Sequence, residues 1–376
     1  MTLSARQVRD AVAARAAADW DVGFQPENFT DLRSSTLPEL TVPVEFGGLG
    51  VDIGAASAAV REVAAGDAAT GLVLAMHYIH TTRLFAVRGS DAVDKLAARI
   101  LADRELVALV ASEQLSGAPS RGAPITTTAT RTAEGWRLDG SKTYATGARA
   151  AGSIVIVAVF DDQAGDRRKG HFLVPQPTDG LTVIDTWDAA GLRGSDSQDL
   201  RLDGVRVDAD ALVETIGPDG RPVDVTQPIW WPLMLASVHL GVAEAARTEA
   251  IRFAGGPRTD ALPGALKDTD RIRDRAARAE LDFLSGRAIL DDALRRAAAG
   301  ELTPAYAGAA KVLVHRHASA VVDHCGQLIG AASMRLSSPL QRYYRDLRVA
   351  LHNPPAEDTV LAWLATDVLG PIENHE

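Results

Sequence analysis

Four kinds of side chain in this 376-residue chain could do chemistry. The first is an imidazole, His352, in Leu351-His352-Asn353-Pro354-Pro355. A ring that titrates near neutrality can take or give a proton at working pH. The second is the carboxylate of Glu357, three residues beyond Pro354, where a helix start would favour negative charge. The third is the guanidinium of Arg258, after Gly255-Gly256-Pro257, whose planar fork matches a phosphate bidentately. The fourth is a pair of short hydroxyls, Ser112 and Thr146, in strand-like stretches. His77 follows an apolar run and reads equally as a core histidine or a ligand-facing one, and Trp230-Trp231 as a pocket wall or as packing. Cys325 is the one cysteine, so it makes no intrachain disulfide and no cysteine-based metal site, and no metal centre is expected. It reads as an inert buried residue that suits a reducing compartment.

These groups must be positioned by elements of changing period. Residues 1–108 read as helical, with helix-like spacing at 55–62 and 91–104 and a glycine-rich loop at 41–54. Residues 109–215 shift to short strands. The Thr-rich stretch 126–132, the turn Ala133-Glu134-Gly135 and the alternation at 136–139 predict a hairpin. Further strands are expected at 154–160, 171–175, 182–185 and 200–207, which suits an antiparallel barrel or sandwich more than repeated βαβ units. From residue 225 to 376 the pattern is helical again, with helices predicted at 232–254, 267–299, 303–329, 338–351 and 357–369. Short connections make these a bundle. The fold class is therefore α+β and multidomain: a helical domain (1–108), a β domain (109–215) and a helical bundle (225–376).

Composition removes several functions. Hydrophobic residues make up 46% of the chain, enough for a sizeable core, and abundant Ala favours helix. A net charge of −10 repels phosphate backbones, so no nucleic-acid partner is expected. The N-terminus lacks the apolar core of a signal peptide, and the longest apolar run, 154–160, is strand-sized, so a cytoplasmic protein without a membrane partner is expected. Gly47-Gly48-Leu49-Gly50 lacks the spacing and the strand-to-helix context of a dinucleotide-binding turn.

Several segments, in order and along almost the whole chain, resemble the acyl-CoA dehydrogenase superfamily. Pro43-Val44-Glu45-Phe46-Gly47-Gly48-Leu49-Gly50 is similar to its "P-x-E-x-G-G-x-G", and Ser112-Glu113-Gln114 stands where it has "T-E-P". Gly140 to Thr146 resembles "G-x-K-x-W/Y-I-T", and Gly191-Leu192-Arg193-Gly194-Ser195 resembles "G-x-R-G-S". Gln327-Leu328-Ile329-Gly330-Ala331 and Arg345-Asp346-Leu347-Arg348 resemble "Q-x-x-G-G" and "R-D-A-R".

The resemblance implies a flavin, normally FAD, between β domain and bundle, in a homodimer or homotetramer. It implies that Ser112 bonds the pyrimidine edge of the ring and that Thr146 bonds near N5. Gln327 would reach the dinucleotide end from a neighbouring subunit, and Arg258 would pair with the pyrophosphate. His77, Trp230 and Trp231 would border the substrate.

The family's catalytic glutamate has two known places, which by counting fall at Pro354 and near Trp231; neither is a carboxylate. His352 and Glu357 are the substitutes. Leu351-His352-Asn353-Pro354 and Lys142-Thr143-Tyr144-Ala145-Thr146-Gly147-Ala148 also resemble "L-H-D-P" and "K-x-Y-x-T-G-A" of the superfamily's flavin monooxygenases, and Gly117-Ala118-Pro119 replaces the "G-S-D" that serves coenzyme A binding. Three readings follow. First stands α,β-dehydrogenation of an acyl thioester or related small molecule, with electrons passed to an electron-transfer flavoprotein. The second is a monooxygenase that takes reduced flavin, FMN included, from a flavin reductase. The third is a non-catalytic member kept for binding.

Overall fold

The computed structural model describes residues 2–19, 21–87, 89–114, 123–216, 227–256 and 265–370. Among the described residues five α-helices come first: α1 (Ala5–Ala18), α2 (Pro26–Arg33), α3 (Ile53–Gly66), α4 (Ala68–Ala86) and α5 (Asp91–Asp103). Their starts are chemically marked. Ser4 and Gln7 form a capping box on α1, Asp52 caps α3, and Asp67 caps α4 by accepting from the Thr70 amide at 2.9 Å. α4 presents no polar stripe to solvent, and nearly all of its residues, His77, His80 and Arg83 included, are buried as it runs through the interior.

Eight strands follow among the described residues: β1 (Val107–Val110), β2 (Thr128–Arg131), β3 (Gly135–Ala145), β4 (Ser153–Asp161), β5 (Arg167–Pro175), β6 (Leu181–Ile184), β7 (Gln198–Asp208) and β8 (Leu212–Ile216). They form one sheet in the order β6-β7-β3-β2-β4-β5-β8, with β1 beside β4. The expected β2–β3 hairpin is present. Most ladders are antiparallel, but β1 and β2 both run parallel to β4, pairings that local alternation does not encode. β1 and β8 are additions to the expected strands, since four or five residues carry little period.

The last five helices are α6 (Gln227–Ala254), α7 (Asp270–Ala298), α8 (Pro304–Ile329), α9 (Pro339–Ala350) and α10 (Glu357–Leu369). α6 and α8 are the inner pair. A single apolar core joins them to α1, α3 and α4, whereas the strands enclose a separate core around Leu138, Ile156 and Phe172. Gly241 of α6 lets α3 approach closely, because a Cβ there would lie 2.6 Å from the Arg61 carbonyl oxygen. Among the described residues α6 alone is long and apolar enough to cross a bilayer, and 78% of its apolar window is buried inside the protein. Cys325 is buried in α8, and burial pushes its thiol up to about 12, so it is inert.

Candidate functional site between sheet and bundle

The site is built outward from one buried ion pair. Lys142 of β3 donates to Glu113 at 2.7 Å, and both side chains are almost fully buried. The Glu113 carboxylate also accepts from the Thr126 amide at 2.8 Å and from the Thr127 amide and hydroxyl at 3.0 and 2.8 Å. Burial alone would raise the Glu113 carboxyl, but these donors outweigh it and hold it well below the usual range. Lys142 adds a bond to the Ala111 carbonyl at 3.2 Å, and the Ser112 carbonyl accepts from the Thr143 amide at 2.9 Å. The segment 111–114 is thereby fastened to β3.

Ser112 and Thr146 flank this fastening, and both are half-buried. The Ser112 hydroxyl has no hydrogen-bond partner among the described residues. The Thr146 hydroxyl meets Ser197 at 3.0 Å, and Ser197 meets Ser195 at 2.9 Å. Tyr144, between them in sequence, is 64% exposed, has a φ of 60° and stands edge-on to Trp187. A non-glycine residue with positive φ costs energy and is retained where the surroundings fix it. Gly147 takes a φ of 76° and touches α4, where a Cβ would lie 2.9 Å from Val73. Hydroxyls at the rim of a sheet, one of them unpartnered, suit a flat heteroaromatic ring that needs hydrogen bonds along its edge.

The loop between β6 and β7, which carries Ser195 and Ser197, reaches the bundle. The Leu192 amide donates to Asp346 of α9 at 2.6 Å. Asp346 lies beside Arg342, which pairs with Asp67, the α4 cap. Burial pushes Asp346 up to about 6 although Arg342 and the Leu192 amide oppose it. His352 follows six residues after Asp346, just past the end of α9, and is exposed.

The other candidates fall elsewhere. Glu357 begins α10 and is ion-paired with Arg316, so its carboxylate is committed at the surface. Gln327 is exposed at the end of α8, where only its carbonyl is engaged, by Arg271 at 2.9 Å, and no described contact joins it to Ser112 or Thr146 of the same chain. Arg258 and 117–119 lie outside the described residues. His77 needs correction as a substrate contact. It is fully buried, its Nε2 donates to the Pro38 carbonyl at 2.9 Å, and its Nδ1 accepts from the Val107 amide at 3.0 Å. Both nitrogens are used by backbone, burial pushes it down to about 4, and the ring ties α4 to β1.

Trp230 and Trp231 are half-buried at the start of α6. Trp231 stands edge-on to His80 of α4, with centroids 5.6 Å apart. Its indole nitrogen is buried without a partner among the described residues. Glu113 and Lys142 stand inside the family-like segments, but sequence reasoning does not pair them. No local signal marks them, since Lys142 stands between Ser141 and Thr143 and Glu113 between Ser112 and Gln114, ordinary polar surroundings in the sequence; only burial in the fold requires such charges to keep company.

Three family models match the chain: acyl-CoA dehydrogenase N-terminal domain over residues 2–130, middle domain over 108–205 and C-terminal domain over 232–351. A putative acyl-CoA dehydrogenase, YdbM of Bacillus subtilis (strain 168), is 33% identical over 371 residues, covering 96% of this chain and 94% of that protein. The amino sugar nitrososynthase DnmZ of Streptomyces peucetius is 32% identical over 340 residues, covering 85% and 80%. Among solved structures, KijD3 in complex with FMN and an amino-keto sugar nucleotide superposes with a TM-score of 0.80 at 27% identity, covering 98% of this chain and 93% of that one.

Proposed function

We infer the reaction from one premise: the chain belongs to the acyl-CoA dehydrogenase family. Members of this superfamily are flavin-dependent oxidoreductases. Within it we propose that this chain is a monooxygenase, which puts one oxygen atom of O2 on a carbon, nitrogen or sulfur of a small molecule. The other oxygen leaves as water, and a reduced flavin from a separate reductase supplies the two electrons.

One observation carries this reading: the loop 351–356 presents an imidazole and no free carboxylate. Proline occupies one family position for the glutamate base, no carboxylate stands near Trp231 at the other, and Glu357 is held by Arg316. Dehydrogenation needs a base for the proton α to the thioester carbonyl, and such a base is worth about 10²–10⁴ in rate. A monooxygenase needs instead a group that holds or delivers a proton beside the flavin, which suits His352. Ser112 and Thr146 hydrogen-bond the flavin rim, and the Thr146–Ser197–Ser195 hydroxyls keep that rim oriented. Gln327 serves the site of a second copy, so the working form is a homodimer or homotetramer. FMN accompanies this reading, and FAD with an electron-transfer flavoprotein accompanies the dehydrogenase reading. The nitrososynthase likeness supports a heteroatom as the oxygen acceptor.

The test gives the protein a panel of saturated acyl-CoA thioesters under anaerobic conditions, and separately gives it enzymatically reduced FMN with O2. Oxygen-dependent product from an amine or sulfur panel, with no bleaching by any thioester, is expected. Bleaching by a saturated acyl-CoA would overturn the proposal in favour of dehydrogenation.

A further inference from the structure

The proposed role of His352 leaves open what holds its loop. The loop packs over α8, and there lies Lys311, with 2% of its surface exposed. Its ammonium donates to the Asn353 carbonyl at 2.9 Å and to the Pro355 carbonyl at 3.2 Å. These are the backbone acceptors on either side of Pro354, immediately after His352. No carboxylate pairs with this ammonium among the described ion pairs: Glu357, whose charge acts on it, is taken by Arg316. One turn along α8 stands His315, and His239 of α6 lies edge-on to it with centroids 4.8 Å apart. His239 is fully buried with neither ring nitrogen partnered among the described residues, and the Nδ1 of His315 is likewise unpartnered. Neither imidazole therefore draws the ammonium away from the loop.

Burying an ammonium without a counter-ion is expensive, and methionine would fill the same space without that penalty. A charge kept in such a place has its value in what it holds. We propose that Lys311 is a positioning residue for the reaction: through the Asn353 and Pro355 carbonyls it fixes the loop so that His352 presents its imidazole at the site. The carbonyls are backbone, so no side chain of the loop can replace the contact. Burial pushes Lys311 down to about 8, and Glu357 opposes that shift, so the ammonium form is the main one at neutral pH. This inference rests on the assignment of His352 above.

The test compares Lys311→Met with wild type and with His352→Ala in the holoenzyme, using selectively labelled histidine to follow the His352 ring by NMR. In K311M the His352 signal should shift and broaden while flavin affinity stays at the wild-type value. Turnover should fall about tenfold with KM little changed, and K311M should add nothing further in the H352A background. A His352 signal identical to wild type in folded K311M overturns the proposal. So does an equal loss of turnover in the H352A background, since that marks a bulk structural effect. If K311M does not fold, Lys311→Gln, which is polar but one bond too short to reach both carbonyls, is read in the same way. The NMR outcome needs no turnover, so it separates failure here from failure of the His352 assignment, which would show as H352A turning over at the wild-type rate, and of the monooxygenase reading, which would show as bleaching by a saturated acyl-CoA.

Discussion

The two sides of the site are built on different principles. On the sheet side Glu113 and Lys142 pair in the dry interior, and the surrounding threonines satisfy the carboxylate from backbone and side chain. On the bundle side an exposed His352 rides on a loop that its own amides bind to the end of α9 and that one ammonium on two carbonyls ties across to α8. The first arrangement is a fixed cradle, costly to alter, because removing one partner strands a buried charge. The second can change its side chains without unfolding anything, since its anchoring uses main chain. On the function proposed above, the cofactor belongs with the first and the choice of reaction with the second.

The sharpest way to break this comparison is Glu113→Ala. It leaves Lys142 buried and unpaired, so stability in denaturant titration should fall by about 3–5 kcal/mol. Flavin retention should fall with it. The same pair has a pH signature. The folded Glu113 carboxyl is depressed below its unfolded value of about 4.3, so its contribution is full above that value and is lost as pH falls toward the folded one. Melting temperature against pH should therefore drop more steeply below about pH 4.3 in wild type than in Glu113→Gln. A wild-type melting curve for Glu113→Ala would show that the cradle is not fixed by this pair.

Next in size is His352→Ala, for which turnover should fall roughly a hundredfold or more while melting temperature and flavin affinity hold. Loss of flavin in this variant would place His352 in the cradle and erase the distinction between the two sides. Thr146→Val keeps the shape and removes the hydroxyl, so flavin affinity in a fluorescence titration should weaken by about 1 kcal/mol, near fivefold. The smallest effect belongs to Glu357→Gln. Its exposed pair with Arg316 is worth about 0–1 kcal/mol, and turnover should match wild type. A large loss of turnover there would make Glu357 the base after all and restore dehydrogenation.

Much of the fold is legible from periodicity. The β2–β3 hairpin, the long inner helices and the order helix, sheet, bundle all follow from local pattern, because side-chain period and turn residues are properties of neighbours in sequence. β1 and its parallel pairing with β4 are not legible, since four residues carry no readable period and the partner lies more than forty positions away. The site is legible only as letters. Ser112 and Thr146 stand out through motif likeness, but the Thr143–Ser112 bond that fastens the segment of Ser112 to β3 does not. His77 shows the converse. A histidine after an apolar run looks the same whether its nitrogens face a ligand or two backbone groups, and the Pro38 and Val107 contacts decide it.

The sequence by itself determined the family, the three zones and the lack of a carboxylate at the two expected base positions. Those are statements about which residues stand where along the chain. Only the tertiary structure decided which charges are paired: Glu113 with Lys142, Glu357 with Arg316, and Lys311 with no carboxylate among the described ion pairs but with the loop that carries His352. The reason is physical. A charge in a protein is neutralised or left active by what lies within a few ångströms, and that neighbourhood is set by folding rather than by position in the chain.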